Sequence, residues 1–205
     1  MPQVIPVDLP ETPALAAETL ARGELVVLPT DTVYGIAAPL DEAAIARIFA
    51  AKQRPPDRAV PVLLSDAEAV ARVAADFPTA ARRLAEAFWP GPLTIALPKR
   101  AGLPPNLSQL PTVGVRVPDH AAARAVIAAA GGALAVTSAN RSDHAPACTI
   151  HEAIAAFQDA VALYLDGGRC AGGVPSTVIT FDEAGALQVL REGPLSAEAL
   201  RAALA

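Results

Sequence analysis

The chain has 205 residues, 53% of them hydrophobic and 18% charged, with a formal charge of −5 and a mean hydropathy of +0.37. That composition excludes wholesale disorder and allows one large domain or two small ones, each with a sizeable core. The longest charge-free stretch, 125–140, is 16 residues, short of the roughly 20 that a membrane span needs. The first residues lack a basic segment leading into an apolar one, so a cytoplasmic protein without membrane contact is expected.

Runs of strand length, apolar and often β-branched, fall at 25–28, 60–64, 93–97, 113–117, 134–137, 161–165 and 177–181. Between them, alanine-rich segments at 42–51, 67–75, 79–88, 121–130 and 152–157 have helical spacing, and 196–205 reads as a short closing helix. Asp41, Ser65 or Asp66, Asp119, Thr149 and Ser196 are placed to cap the helices that follow them. The prolines cluster in connections such as Pro55-Pro56 and Pro104-Pro105, while Pro61 inside a run suggests an edge or irregular strand. No linker or repeat divides the chain, so a single α/β domain over residues 1–205 is expected, with strand order left open.

Twenty-one acidic residues outnumber sixteen basic ones, and only Lys52 and Lys99 are lysines, leaving 14 arginines. This balance argues against a general nucleic-acid coat and leaves room for a local basic pocket. Cys148 and Cys170 fit no CxxC pattern, so free thiols are expected and no metal site.

Four segments carry candidate chemistry. Pro29-Thr30-Asp31-Thr32-Val33-Tyr34-Gly35 follows a strand directly, where polar side chains line the crevice of an open sheet. Lys52-Gln53-Arg54-Pro55-Pro56-Asp57-Arg58 is dense in cations for so charge-poor a chain; in an extended segment, Lys52 and Arg54 would point the same way onto one polyanion. In Thr137-Ser138-Ala139-Asn140 a strand ends in groups that hydrogen-bond without adding charge. The glycine-rich segment from Gly167 to Gly173 reads as a mobile or ligand-hugging loop, although neither GxxxxGK[ST] nor GxGxxG is present. HExxH and GxSxG are absent too, which weakens hydrolase readings, and Trp89 reads as scaffold.

In this order, Pro29-Thr30-Asp31-Thr32-Val33-Tyr34-Gly35, Lys52-Gln53-Arg54-Pro55, Trp89-Pro90-Gly91-Pro92-Leu93-Thr94, Val115-Arg116-Val117-Pro118, Thr137-Ser138-Ala139-Asn140, Pro175-Ser176-Thr177-Val178 and Leu190-Arg191-Glu192-Gly193 closely resemble the YrdC/TsaC family of threonylcarbamoyl-AMP synthases. The resemblance implies a mixed α/β sheet with flanking helices around a concave basic cavity. It also implies a nucleotidyltransferase that condenses L-threonine, bicarbonate or CO2, and ATP into threonylcarbamoyl-AMP, releasing pyrophosphate. A TsaD-type transferase with its accessory proteins would pass the product to tRNA beside the anticodon. By motif, Lys52, Arg54, Ser138 and Asn140 would be catalytic and, with Arg58, Thr112 and Arg191, would contact ATP. Thr32, Arg116 and Ser176 would lie near threonine, with backbone contacts from Leu63 and Val136. Mg2+ would accompany ATP, and no dedicated general base is visible. The chain looks like the short bacterial form, with the loop at 167–173 as a partial lid. A domain of hydrogenase-maturation carbamoyltransferases is a related alternative; a non-catalytic module binding double-stranded RNA or tRNA is one of another class.

Overall fold

A computed structural model describes residues 2–182 and 184–205. In chain order these form β1 (Gln3–Pro6), α1 (Thr12–Ala21), β2 (Val26–Leu28), β3 (Gly35–Ala38), α2 (Glu42–Lys52), β4 (Val62–Leu64), α3 (Thr79–Phe88) and β5 (Leu93–Pro98). There follow β6 (Thr112–Arg116), α4 (Ala121–Ala129), β7 (Ala133–Ser138), α5 (Ile150–Phe157), β8 (Leu163–Asp166), β9 (Thr177–Phe181), β10 (Leu187–Arg191) and α6 (Ala197–Ala202). The strands make one mixed sheet in the order β1-β8-β2-β3-β7-β4-β6-β5-β9-β10. Four pairs are parallel (β1/β8, β8/β2, β4/β6, β5/β9) and the other five antiparallel.

Because side chains alternate along a strand, the sheet has two faces of different character. One carries Val27, Ile36, Val62, Leu64, Ile95, Val113, Val115 and Ile179, and packs on Ala44, Ile45 and Ile48 of α2, Leu84 of α3, Ile150, Ala153 and Phe157 of α5, and Leu200 of α6. The other face is covered over β1, β8, β2, β3 and β7 by Ala16 and Leu20 of α1 with Ala123, Val126 and Ile127 of α4. Full burial of an aliphatic side chain such as Ile127 contributes roughly 1.5–3 kcal/mol. At the margin of that cover and beyond it, the same face presents Leu63, Thr94 and Arg116 from β4, β5 and β6, and these line a cleft.

Four departures from the sequence expectations have local causes. The segment 67–75 forms only a short 3-10 helix, Glu68–Arg72. Its end is drawn onto β5 through an Ala74–Lys99 bridge and an Ala75 N bond to Pro98 O at 2.9 Å, so tertiary pairing overrides helix propensity. Asp119 does not cap α4; His120 Nδ1 accepts from Ala123 N at 3.3 Å instead. Pro61 does not mark an edge, because β4 begins one residue later and lies between β7 and β6, where the missing N–H falls outside the ladder. Finally, α1, β1, β3 and β10 add to the elements expected from the sequence.

Candidate functional site

The cleft is lined by Thr30, Thr32, Leu63, Thr94, Arg116, Val136, Ser138, Pro175, Ser176 and Arg191 among others. Arg116 faces it because it shares a face of β6 with Gly114, while Val113 and Val115 face the core. The Arg116 guanidinium is almost fully buried. Its Nε donates to Gly91 O at 2.9 Å, Nη1 to Thr32 Oγ1 at 3.0 Å and Nη2 to Asp31 Oδ1 at 2.5 Å. Burial lowers its affinity for its proton and Asp31 opposes that shift. Asp31 Oδ1 also accepts from Asp119 N at 3.1 Å. Five N–H donors less these three bonds leave one on each terminal nitrogen, the pattern that grips a carboxylate.

The loop between β2 and β3 is stiffened by its own hydroxyls. Thr30 Oγ1 donates to Val33 O at 2.7 Å, so the hydrogen in the 3.0 Å Thr30–Thr32 contact comes from Thr32. Behind it runs the glycine-rich segment, which packs closely against this loop. Gly167 N donates to the Tyr34 hydroxyl at 3.1 Å, Tyr34 donates to Gly168 O at 2.7 Å, and Gly173 N donates to Thr32 O at 2.8 Å. A Cβ at Gly172 would sit 2.8 Å from Asp31 O, so glycine there permits backbone approach. These contacts pin the segment against the back of the loop, outside the residues that line the cleft, where its composition suggests a mobile or ligand-hugging loop and the resemblance a partial lid. Burial pushes the Tyr34 hydroxyl up to about 12, keeping it neutral.

Arg191 enters from β10 by way of a bulge. Val189 pairs with Ile179 and Arg191 with Val178, leaving Leu190 extra, which turns Arg191 away from the core side that Val189 occupies. Arg191 Nη2 donates to Ser176 O at 2.8 Å and Ser176 Oγ at 3.2 Å, and Ser176 Oγ meets Thr94 Oγ1 at 2.7 Å.

The cationic segment does not run extended from Lys52. Gln53 is left-handed (φ 51°) and ends α2, so Lys52 points inward and is 1% exposed, with Nζ on Ser138 O and Asn140 O at 2.5 Å each. Burial, with the Arg54 charge adding to it, pushes Lys52 down to about 7. Half-buried Arg54 donates to Ala59 O at 2.9 Å; burial lowers its pKa first, then the charges of Arg58 and Arg191. Exposed Arg58 pairs with Asp143 at 3.0 Å. Asn140 is consumed internally, its amide donating to Arg141 O at 2.7 Å and His144 O at 2.8 Å.

Of the residues singled out by motif, the cleft therefore brings together Thr32, Leu63, Arg116, Val136, Ser138, Ser176 and Arg191. The Val136 N–H is already taken by Pro61 O at 2.9 Å. Lys52 and Asn140 lie inside the loop beneath the cleft, and Asn140 also borders a second cavity of about 640 Å3 with Arg141, His144, Pro146 and Arg169. Thr112 shares the Arg116 face of β6 but is four residues away, about 13 Å along a strand, and lines a separate groove with Thr180 and Phe181. Asp31, Thr94 and the Gly91 carbonyl were absent from the residue roles assigned by motif. Asp31 and Thr94 stand within quoted motifs, but only the fold shows that they hold Arg116 and Ser176.

The sequence matches the family described as "Telomere recombination", Sua5/YciO/YrdC, over residues 18–193. It is 39% identical over 171 residues to a Pyrococcus abyssi protein named threonylcarbamoyl-AMP synthase, covering 82% of this chain and 50% of that protein. It is 38% identical over 186 residues to a putative threonylcarbamoyl-AMP synthase of Mycobacterium tuberculosis, covering 89% and 84%. The fold superposes with a TM-score of 0.93 on the crystal structure of P. abyssi Sua5 complexed with L-threonine, at 35% identity over 99% of this chain and 60% of that one. The chain thus spans half the length of the Pyrococcus relative and most of the mycobacterial one. With the matched region running through every segment that builds the cleft, the chain belongs to the Sua5/YciO/YrdC family.

Proposed function

We propose that the chain is a threonylcarbamoyl-AMP synthase, a nucleotidyltransferase acting on L-threonine, bicarbonate and ATP. The observation that carries this reading is the buried Arg116, oriented by Asp31, Thr32 and Gly91 with two N–H groups to spare, in one cleft with Arg191. The first offers a fork for an amino-acid carboxylate and the second a cation for phosphate. The names of the relatives, and the threonine complex of the Pyrococcus protein, support the same assignment.

The threonine amine adds to the bicarbonate carbon, water leaves and a carbamate forms. A carbamate oxygen then attacks the α-phosphorus of ATP, the bond to the β-phosphate breaks, and pyrophosphate departs. Arg54, Arg58 and Arg191 offset the phosphate charge, the Ser138 hydroxyl donates to a phosphate oxygen, and Leu63, Val136 and Pro175 exclude water. The cavity beyond Asn140 offers room for the nucleoside end. Mg2+ would arrive on the triphosphate, since among the described residues no three His, Cys, Asp or Glu side chains cluster into a ligand set. The mixed anhydride product has to be consumed by a transferase; a TsaD-type enzyme acting on tRNA in the cytoplasm fits that chemistry. Pyrophosphate release requiring threonine and bicarbonate together, with the adenylate seen by mass spectrometry, tests the proposal. Release independent of threonine, or none from folded protein, would overturn it.

A further inference from the structure

Lys52 sits in the cationic segment on which nucleotide binding leans, yet its ammonium has no donor left for a phosphate. An ammonium has three N–H groups. Around Nζ stand three acceptors, Ser138 O and Asn140 O at 2.5 Å each and Asn140 Oδ1 at 3.4 Å. The backbone they belong to is tightly turned, with Asn140 N donating to Ser138 O at 3.0 Å. Two carbonyls aimed at one point repel each other, and a cation placed there turns the repulsion into attraction. Lys52 also accepts through its own carbonyl from Ser142 N at 2.9 Å, so α2 holds both ends of the turn. The Asn140 amide closes the loop onto Arg141 and His144.

We propose that Lys52 is a positioning residue: its ammonium folds the Ser138–Asn140 turn and so aims the Ser138 hydroxyl into the cleft, while Arg54, Arg58 and Arg191 meet the phosphates. The inference deepens the nucleotide reading above and rests on it. It separates two roles that the motif alone merges, because Lys52 and Arg54 lie on opposite sides of the left-handed Gln53. Loss of Lys52 would act through Ser138, and the two losses would not add.

The test combines Lys52→Met, Ser138→Ala and the double variant, with Lys52→Arg as the conservative change. Compared at pH 6, where wild-type Lys52 is charged, amide exchange at 138–142 in ligand-free Lys52→Met should be about tenfold or more faster while the sheet stays protected. ATP affinity should fall by similar factors in Lys52→Met and in the double variant, within about twofold, and Lys52→Arg should recover part of the loss. Unchanged exchange at 138–142 together with multiplying losses in the double variant would overturn the proposal. Where Lys52→Met does not fold, the wild-type protein decides. With only Lys52 and Lys99 as lysines, 15N-lysine labelling resolves the ammonium, which should show no coupling to phosphorus when ATP is bound; coupling would refute the assignment. Failure to bind ATP would remove the nucleotide reading, whereas the exchange measurement still reports whether Lys52 holds the turn.

Discussion

Replacing Arg116 with lysine keeps the charge and removes the fork. The guanidinium now satisfies Gly91 O, Thr32 Oγ1 and Asp31 Oδ1 at 2.9, 3.0 and 2.5 Å; a compact ammonium at the same Cα reaches the nearest one or two of them. Hydrogen bonds to a charged group contribute about 1.5–3 kcal/mol each, so losing two sets an upper limit of about 3–6 kcal/mol. Asp31 keeps 16% of its side chain exposed against 6% for Arg116, so water and the new ammonium recover part of that. A net loss of about 2–4 kcal/mol follows. Urea unfolding should show this loss, and calorimetry should show threonine binding weakened by about 30-fold or more, with ATP binding changed by less than about threefold. Threonine affinity within twofold of wild type, in a variant destabilised as stated, would make Arg116 a purely structural ion-pair partner and would refute the carboxylate assignment.

Lys52 is held at about 7 against 10.5 for an exposed lysine. Between those values the unfolded chain binds a proton that the folded chain has released, so global stability should rise with pH across that window, by at most ~1.4 kcal/mol per unit, while the Ser138–Asn140 turn that the ammonium holds loosens as the proton leaves. Denaturant titrations from pH 6 to 10 should show the rise in wild type and its absence in Lys52→Met. A Cβ at Gly193 would meet Thr177 N at 2.4 Å and Pro175 O at 2.6 Å, all of it backbone, so Gly193→Ala should cost about 1–3 kcal/mol or more and weaken ATP binding by displacing the Ser176–Arg191 contact. Thr149→Ala removes the capping box that Thr149 makes with Glu152 at the start of α5; it should lower stability by about 1 kcal/mol and leave ligand affinities unchanged, as thermal melts and calorimetry will report.

Seven strands were legible because each is a compact apolar run, and the caps at Asp41, Thr149 and Ser196 were legible because the side chain that closes a helix stands immediately before it. The elements that escaped lack that signature. β3 is Gly35-Ile36-Ala37-Ala38, small residues whose pairing comes from β2 and β7 on either side. β1 is an edge strand with little of it buried, and α1 begins Thr12-Pro13 with its cover of the sheet confined to Ala16 and Leu20. The site divided in the same way. Residues that project into the cleft from a strand end, such as Arg116, Ser138 and Ser176, could be placed together from their motifs. The inward turn of Lys52 depends on one left-handed residue, Gln53, and the orientation of Arg191 on one extra residue in β10, neither of which announces itself in the chain.

The Thr30–Thr32 pair has a consequence for what the cleft can distinguish. With the Thr30 proton given to Val33 O, the hydrogen in the 3.0 Å Thr30–Thr32 contact is that of the Thr32 hydroxyl, which shares the Thr30 oxygen with the Thr32 and Val33 amides at 3.2 and 3.3 Å, and the Thr32 oxygen then accepts from Arg116. Its one remaining capacity is a lone pair. Beside it, Arg116 offers only hydrogens. Two adjacent groups of opposite hydrogen-bonding sense make that end of the cleft directional: a molecule with an acceptor at one end and a donor at the other fits in one orientation and meets mismatched partners when reversed. The polarity is written into a hydroxyl whose proton was committed within its own loop.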